Sequence, residues 1–468
     1  MKNNLMTIYH RSPRFIQTLG INIYELKEWN QKNSRRFLHW LKFLRETERW
    51  DHTAFIQYQN KYLKHILQYA YENVPFYHEL YKKNNIDISK IKTIDNLEKL
   101  PIVRKEDIVQ YRGLFFPTKK EKSIIGHTSG TTGKPITVKI SRDLKILNKA
   151  NAYRRDLWAG YDRGWIARFV GDTPVKDCNN DQLFRSSYFM KRAIFPTYCL
   201  SMGTFPSIFN NLKKLHIKFL QCYPSAGYLL AKYLEHTDEY FPLTAVLYSS
   251  EPMYDFQREL IEDRFQTKVF GYYGQAEEVI SALECEKGKY HLTMIDGVLE
   301  IVKNGEKINP GEKGFTVVTS LHNYAMPFIR YALDDYTGYI NEECDCSRLA
   351  PLMYPVETKL RDFIITPTGK IISPCLLGFP IKTAQNIIES QYIQKTIDTI
   401  NVKIIKADNY TSSNELALLQ ALKQLLGDEM VVKIEYVKKI YQTASYKKRF
   451  VINEIGKDYI ENAFEKLQ

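Results

Sequence analysis

Gly126 to Val138 reads GHTSGTTGKPITV. Its first ten residues hold three glycines, one lysine, four hydroxyl side chains and one imidazole, in a chain with only 22 glycines among 468 residues. The alternating pattern of a strand follows at once. Glycine takes positive φ at no steric cost and lets backbone N–H groups come close to an anion. Ser and Thr hydroxyls and a Lys add further donors and a positive charge, so in chemical terms the stretch is a phosphate cradle. It is not a Walker A loop, because Thr128 stands where the first glycine should be and Pro135 follows Lys134. A Gly-rich hairpin turn would explain the glycines but not the hydroxyls and the lysine.

The rest of the chain sets the frame for that loop. With 44% hydrophobic residues, 468 positions suffice for a large core and more than one domain. The 66 Lys and Arg against 53 Asp and Glu leave a net charge of +13, spread along the chain rather than gathered in a stripe. That distribution points to a compositional bias towards Lys and to no specific nucleic-acid partner. The start, MKNNLMTIYHRSPRF, lacks a signal-peptide core, and no segment has the ~18 apolar residues of a membrane span. A cytoplasmic location is therefore expected, with peripheral membrane association left open. Seven cysteines, an odd number, argue against a disulfide framework in a reducing compartment.

Three regions are expected. Residues 1–110 read as helical and packed on the main domain; in NSRRFLHWLKFLRETERW, Phe37, Leu38, Leu41 and Leu44 recur at helical spacing. Residues 111–358 alternate strand patterns (ITVKI, AVLYSS, KVFGYYG, GFTVVTSL) with helical ones such as Asp255 to Phe265. Residues 359–468 read as a small mobile α+β domain of strands, one helix (NELALLQALKQLLG) and a further strand. The fold class is α/β, a large layered N-terminal domain with a smaller C-terminal one.

The companions of the loop arrive in order along the chain: SSEPM (Ser249 to Met253), YYGQAEE (Tyr272 to Glu278), PFIRYALDD (Pro327 to Asp335) and KLRDFI (Lys359 to Ile364). With TSGTTGKP, this set resembles the adenylate-forming superfamily of acyl-CoA synthetases, nonribosomal adenylation domains and luciferases. NVPFYHELY, KLPIVRKEDI, CYPSAGYLLAKYL and the terminal YKKRFVI resemble its phenylacetate-CoA ligase branch, including relatives in capsular polysaccharide biosynthesis. The resemblance runs from about residue 60 to the end.

That resemblance implies activation of a small-molecule carboxylic acid by ATP and Mg²⁺ to an acyl adenylate, catalysed by positioning and charge stabilisation. Thr128, Ser129, Gly130, Thr131, Thr132, Gly133 and Lys134 would hold the β- and γ-phosphates. Ser250, Glu251 and Pro252 belong to the adenine-binding motif; Tyr272, Tyr273 and Gly274 lie in the aromatic motif, with Tyr273 stacking on adenine. Glu277 would hold Mg²⁺, and Asp335 the ribose hydroxyls. Lys359 stands where relatives carry the hinge-motif Arg, and lacks its bidentate fork. Arg361 takes the hinge position, often Asp in relatives. The catalytic lysine of the small domain falls on Lys447 in SYKKRFV, with Lys448 beside it.

Cys285 and His291 in ECEKGKYH, with Cys344 and Cys346 in ECDCSRLAP, supply three thiolates and one imidazole, the ligand count and type of a closed structural Zn²⁺ site. By spacing alone, buried small hydrophobes explain them as well, since C-x-C is tighter than the usual pair. Similar pairs form a zinc site in the branch that the chain resembles, and the resemblance therefore implies one here. Cys178, Cys199, Cys222 and Cys375 lack such a pattern and read as small buried hydrophobes.

The reading is an AMP-forming carboxylate ligase, monomer or homodimer, passing the acyl group to coenzyme A. One alternative acceptor is an amine, such as an amino sugar in surface polysaccharide synthesis. An alternative of another class is a non-catalytic protein that binds nucleotide or polyanion on this fold.

Overall fold

The computed structural model describes residues 9, 11–127, 136–171, 175, 183–201, 203–303, 305–356, 358–359, 363–372, 374–440 and 448–455. The chain separates into two compact units that interleave along the sequence: residues 1–29, 160–269 and 357–468 form one, residues 30–159 and 270–356 the other. Among the described residues, no helix is long and apolar enough to cross a membrane.

In the first unit, Ala245–Ser249, Phe219–Cys222, Ile166–Val170 and Arg192–Pro196 lie side by side in parallel, with Arg185–Ser187 antiparallel at the edge. Parallel strands need crossovers. The helices Phe205–Lys214 and Pro224–His236 provide two of them. The Phe219–Cys222 strand buries Phe219, Leu220 and Cys222, as expected of a strand covered on both faces. The same unit holds a four-stranded sheet in which Ile387–Thr396 and Thr399–Lys406 pair antiparallel, flanked in parallel by Val451–Asn453 and Val431–Tyr436. Its core is Tyr392, Ile400, Val402, Leu418 and Leu422, closed by the helices Pro374–Ala384 and Ser412–Leu426. Gly378, in the first of these helices, faces the ring of Phe256, where an added Cβ would come within 2.7 Å. Only glycine allows that approach.

The second unit opens with the helices Arg35–Glu46, His52–Asn73 and Pro75–Lys83. Ser34 and Asp51 cap the first two, accepting from the N–H of Phe37 and Ala54. Phe37 and Leu44 are buried as the periodicity predicts, whereas Leu38 faces solvent. Most of the unit's described strands form two antiparallel arrays. In one, Glu306–Lys307, Gly297–Lys303, Gly314–Ser320 and Tyr331–Thr337 follow in that order. In the other, Tyr339–Ile340, Leu352–Met353, Tyr290–Leu292 and Ser281–Glu284 lead to Val269–Gly274. The glycine loop, residues 128–135, is outside the described residues. Its flanks pair antiparallel, Gly126 opposite Val138 and His127 opposite Thr137.

The predicted strands ITVKI, AVLYSS, KVFGYYG and GFTVVTSL and the helix Asp255–Phe265 all stand where the pattern put them. The strand Ile387–Thr396 and the helix Pro374–Ala384 were not foreseen, the helix because Pro380 lies inside it. Cys222 is a buried thiol, but Cys199, read as a small buried hydrophobe, is disulfide-bonded. Cys178 and the side chain of Cys375 lie outside the described residues.

One half-buried histidine makes the second unit pH-sensitive. His322 sits among Trp40, Tyr58 and Tyr62, its Nε2 3.0 Å from the Tyr58 hydroxyl, and burial lowers its pKa from 6.5 to about 4. Below 6.5 the unfolded chain takes up a proton that the fold refuses. Stability from this residue is therefore intact above about 6.5 and lost as pH falls towards 4. Denaturant midpoints measured across that window should fall more steeply for the wild type than for His322→Gln; parallel curves would refute this.

Candidate active site

The strand Val269–Gly274 ends in the residues that the sequence singles out. Gly274 is needed there, since an added Cβ would lie 2.8 Å from the ring of Tyr272. Tyr273 donates its hydroxyl to Oδ2 of Asp335 at 2.7 Å. Asp335 is itself buried, on the strand Tyr331–Thr337 of the other array. Burial first and the Asp335 carboxylate second hold the Tyr273 hydroxyl well above its ordinary pKa, which keeps it a donor. Burial likewise raises Tyr272.

Two adjacent carboxylates then separate in role. Glu278 takes a positive φ of 52° and is engaged by Lys145 Nζ and, at 3.1 Å, by Asn148 Nδ2. Glu277 is buried. The structure thus brings Tyr272, Tyr273, Gly274, Glu277 and Asp335 together in the second unit.

A feature that sequence reasoning missed holds this group in place. Arg330, in PFIRY, has φ 50° and is buried. Its Nε donates to Glu300 at 3.1 Å, and one guanidinium nitrogen donates to the carbonyls of Glu98 (2.8 Å) and Leu100 (2.5 Å). Val103 pairs with the same segment: its N–H donates to the Arg330 carbonyl, and its own carbonyl accepts from Ala332. KLPIV and PFIRYA are therefore one structural element. A lone arginine inside an otherwise apolar run was the available signal.

In the first unit, Ser250 and its neighbours follow the strand Ala245–Ser249. Ser250 is exposed with φ 75°, a conformation that costs a non-glycine residue roughly 1–3 kcal/mol. Pro252 is half-buried. Glu251 accepts two backbone N–H groups, from Ser225 at the start of the helix Pro224–His236 (3.1 Å) and from Lys448 (2.9 Å). Lys448 Nζ pairs with Glu389. Lys447, Arg361 and the loop residues Thr128, Ser129, Gly130, Thr131, Thr132, Gly133 and Lys134 lie outside the described residues, as does the side chain of Lys359.

The cysteines and His291 converge in the second unit. The ligand atoms of Cys285, His291, Cys344 and Cys346 all lie within 4.8 Å of one another. Cys285 follows the strand Ser281–Glu284, and His291 lies on its partner Tyr290–Leu292. The two sulfurs of Cys285 and Cys344 are 3.7 Å apart, and Cys346 Sγ is 3.2 Å from His291 Nε2. His291 Nδ1 lies 3.3 Å from the Ala350 carbonyl, which leaves Nε2 turned to the sulfurs. Burial lowers the pKa of His291 to about 4 and pushes the Cys285 thiol up to about 12. Arg348, hydrogen-bonded to Cys346, also pairs with Glu286 at 2.8 Å.

Comparison with known proteins places these features. Residues 364–454 match the family model of the CapK C-terminal domain. Protein CapK of Staphylococcus aureus is 26% identical over 96% of this chain and 99% of its own length. The chain is a relative of CapK and of the phenylacetate-CoA ligases. The phenylacetate-coenzyme A ligase of Thermus thermophilus is 26% identical over 66% of this chain and 71% of its own. Among solved structures, 2-hydroxyisobutyryl-CoA ligase in its postadenylation state with 2-HIB-AMP superposes with a TM-score of 0.69 at 18% identity, over 89% of this chain and 93% of that one. The fold is that of the adenylate-forming ligases, an α/β core with a separate C-terminal domain.

Removing the Tyr273 hydroxyl leaves the buried Asp335 short of a charge-assisted partner. Tyr273→Phe should therefore cost about 1.5–3 kcal/mol of stability. Urea unfolding tests this, and an unchanged midpoint would show that the bond contributes nothing.

Proposed function

We propose that the protein is an ATP-dependent, AMP-forming carboxylate ligase that passes its acyl group to coenzyme A. The observation that carries this is the clustering of Tyr272, Tyr273, Glu277 and Asp335 at one strand end, on a chain related to phenylacetate-CoA ligases along most of its length. A carboxylate oxygen of the acid attacks the α-phosphorus of ATP; the bond to the bridging oxygen breaks and pyrophosphate leaves. The thiolate of coenzyme A then attacks the acyl carbon and AMP departs.

Each residue has one task in this scheme. The hydroxyls and backbone of residues 128–134 hold the outgoing phosphates, Tyr273 faces adenine, and Asp335, oriented by the Tyr273 hydroxyl, accepts from the ribose. Glu277 is the carboxylate for Mg²⁺, a cation that would offset the charge of the phosphates. Its neighbour Glu278 suits that task less, because Lys145 already neutralises it. The same logic separates the two lysines. Lys448 is bound to Glu389 through its ammonium and to Glu251 through its backbone, which ties the lysine segment to the SSEPM motif and leaves Lys447 as the cation for the reacting carboxylate.

We further assign Zn²⁺ to Cys285, His291, Cys344 and Cys346. Tetrahedral zinc with bonds of about 2.3 Å sets sulfurs about 3.8 Å apart; the observed separation is 3.7 Å. Three thiolates and Zn²⁺ leave one negative charge, which Arg348 offsets. The ion would clip the hairpin of Ser281–Glu284 and Tyr290–Leu292 to the loop before Leu352, a structural task remote from the reaction.

Two results follow. Lys447→Ala should reduce acid-dependent pyrophosphate exchange at least a hundredfold yet spare acyl transfer from a synthetic adenylate, while Lys448→Ala should lower exchange only several-fold. If Lys448→Ala is the variant that stops exchange, the assignment is wrong. Protein purified without chelators should contain about one zinc per chain, and Cys344→Ser should lower the melting temperature more than it weakens ATP binding. Metal analysis finding no zinc would contradict the site.

A further inference from the structure

The helix Arg14–Lys32 is amphipathic in the inverse sense. Its polar residues are inside: Gln17 accepts from Arg185 Nε at 2.9 Å, Asn22 donates to the Ser186 carbonyl and accepts from the Tyr188 N–H, both at 2.9 Å, and Glu25 pairs with Arg192 at 2.8 Å. Those bonds fix the helix against the edge strand Arg185–Ser187 and its turn. They leave the apolar residues outside. Phe15, Leu19 and Ile23, at i, i+4 and i+8, form one stripe and are 72%, 57% and 62% exposed. Ile16 flanks the stripe, and Tyr188 and Phe189 extend it from the turn held by Asn22. Scattered exposed apolar residues are ordinary; a contiguous set on one surface marks a contact that the isolated chain does not make.

The charges around this surface indicate what covers it. Arg11, Arg14, Lys27 and Lys191 are exposed. Between positions 11 and 32 the acidic residues are Glu25, buried in its pair with Arg192, and the half-buried Glu28, against Arg11, Arg14, Lys27 and Lys32, with Lys191 of the turn in addition. A second copy of the chain meeting it about a two-fold axis would set this cationic surround against itself, at a cost in like-charge repulsion. An anionic bilayer instead accepts the aliphatic stripe among its acyl chains, the tyrosine at the headgroup level and the cations at its negative surface. We propose that the Arg14–Lys32 helix and the 188–191 turn dock the protein peripherally on an anionic lipid surface. This does not depend on the catalytic reading.

Vesicle co-sedimentation of the full chain tests it, with phosphatidylcholine alone and with added phosphatidylglycerol. The wild type should sediment with the anionic vesicles and be released by salt. Leu19→Glu and Ile23→Glu should each weaken partitioning at least tenfold, and Lys27→Ala about fivefold, with circular dichroism and melting unchanged because all three positions face solvent. Absence of binding to anionic vesicles, or binding that Leu19→Glu and Ile23→Glu leave unaltered, would overturn the proposal. So would a wild-type dimer that binds no vesicles and that Leu19→Glu renders monomeric in sedimentation velocity, which would make a second copy the occupant.

Discussion

The hydrogen bond from Tyr273 to Asp335 joins the two strand arrays of the second unit at the end where both emit conspicuous residues. It places an aromatic ring and a buried carboxylate at a fixed separation, and neither array alone could do so. Arg330 performs the complementary task one strand-turn away, fastening PFIRYA to the carbonyls of Glu98 and Leu100. Under the proposed function such cross-links have a purpose, because groups that meet a nucleotide must hold their positions before it arrives.

The same economy governs the charges. Glu278 is tied down by Lys145 and Asn148, and Lys448 by Glu389. A paired ion is structural and its potential is largely cancelled. Arg348 beside Cys346 shows the principle in the thiol cluster, where a cation meets a group of sulfurs whose protons a metal would displace.

Much of this was legible in the sequence because the motifs are contiguous. YYGQAEE and PFIRYALDD each carry their candidate site residues within nine positions, and Cys285 with His291 and Cys344 with Cys346 form two close pairs in the sequence that the fold brings together. What stayed hidden depends on distance along the chain. Nothing in the local pattern says that Arg330 reaches Leu100, 230 residues away, or that Glu251 receives the N–H of Lys448, 197 residues on. The inward face of the helix Arg14–Lys32 is equally a matter of distant partners: its polar side faces inward because Arg185, Ser186 and Arg192 offer partners there. Pattern alone gives the faces of a helix, and only the neighbours decide which face is buried.

In the proposed reaction the protein cleaves ATP between the α- and β-phosphates to activate a carboxylate. Incubation with ATP, Mg²⁺, hydroxylamine and a panel of aryl, fatty and amino acids measures this directly, since hydroxylamine traps an acyl adenylate whatever the natural acceptor. The account predicts AMP, pyrophosphate and a hydroxamate in equal amounts with at least one acid. ADP and phosphate as products, or intact ATP with every acid, would contradict it.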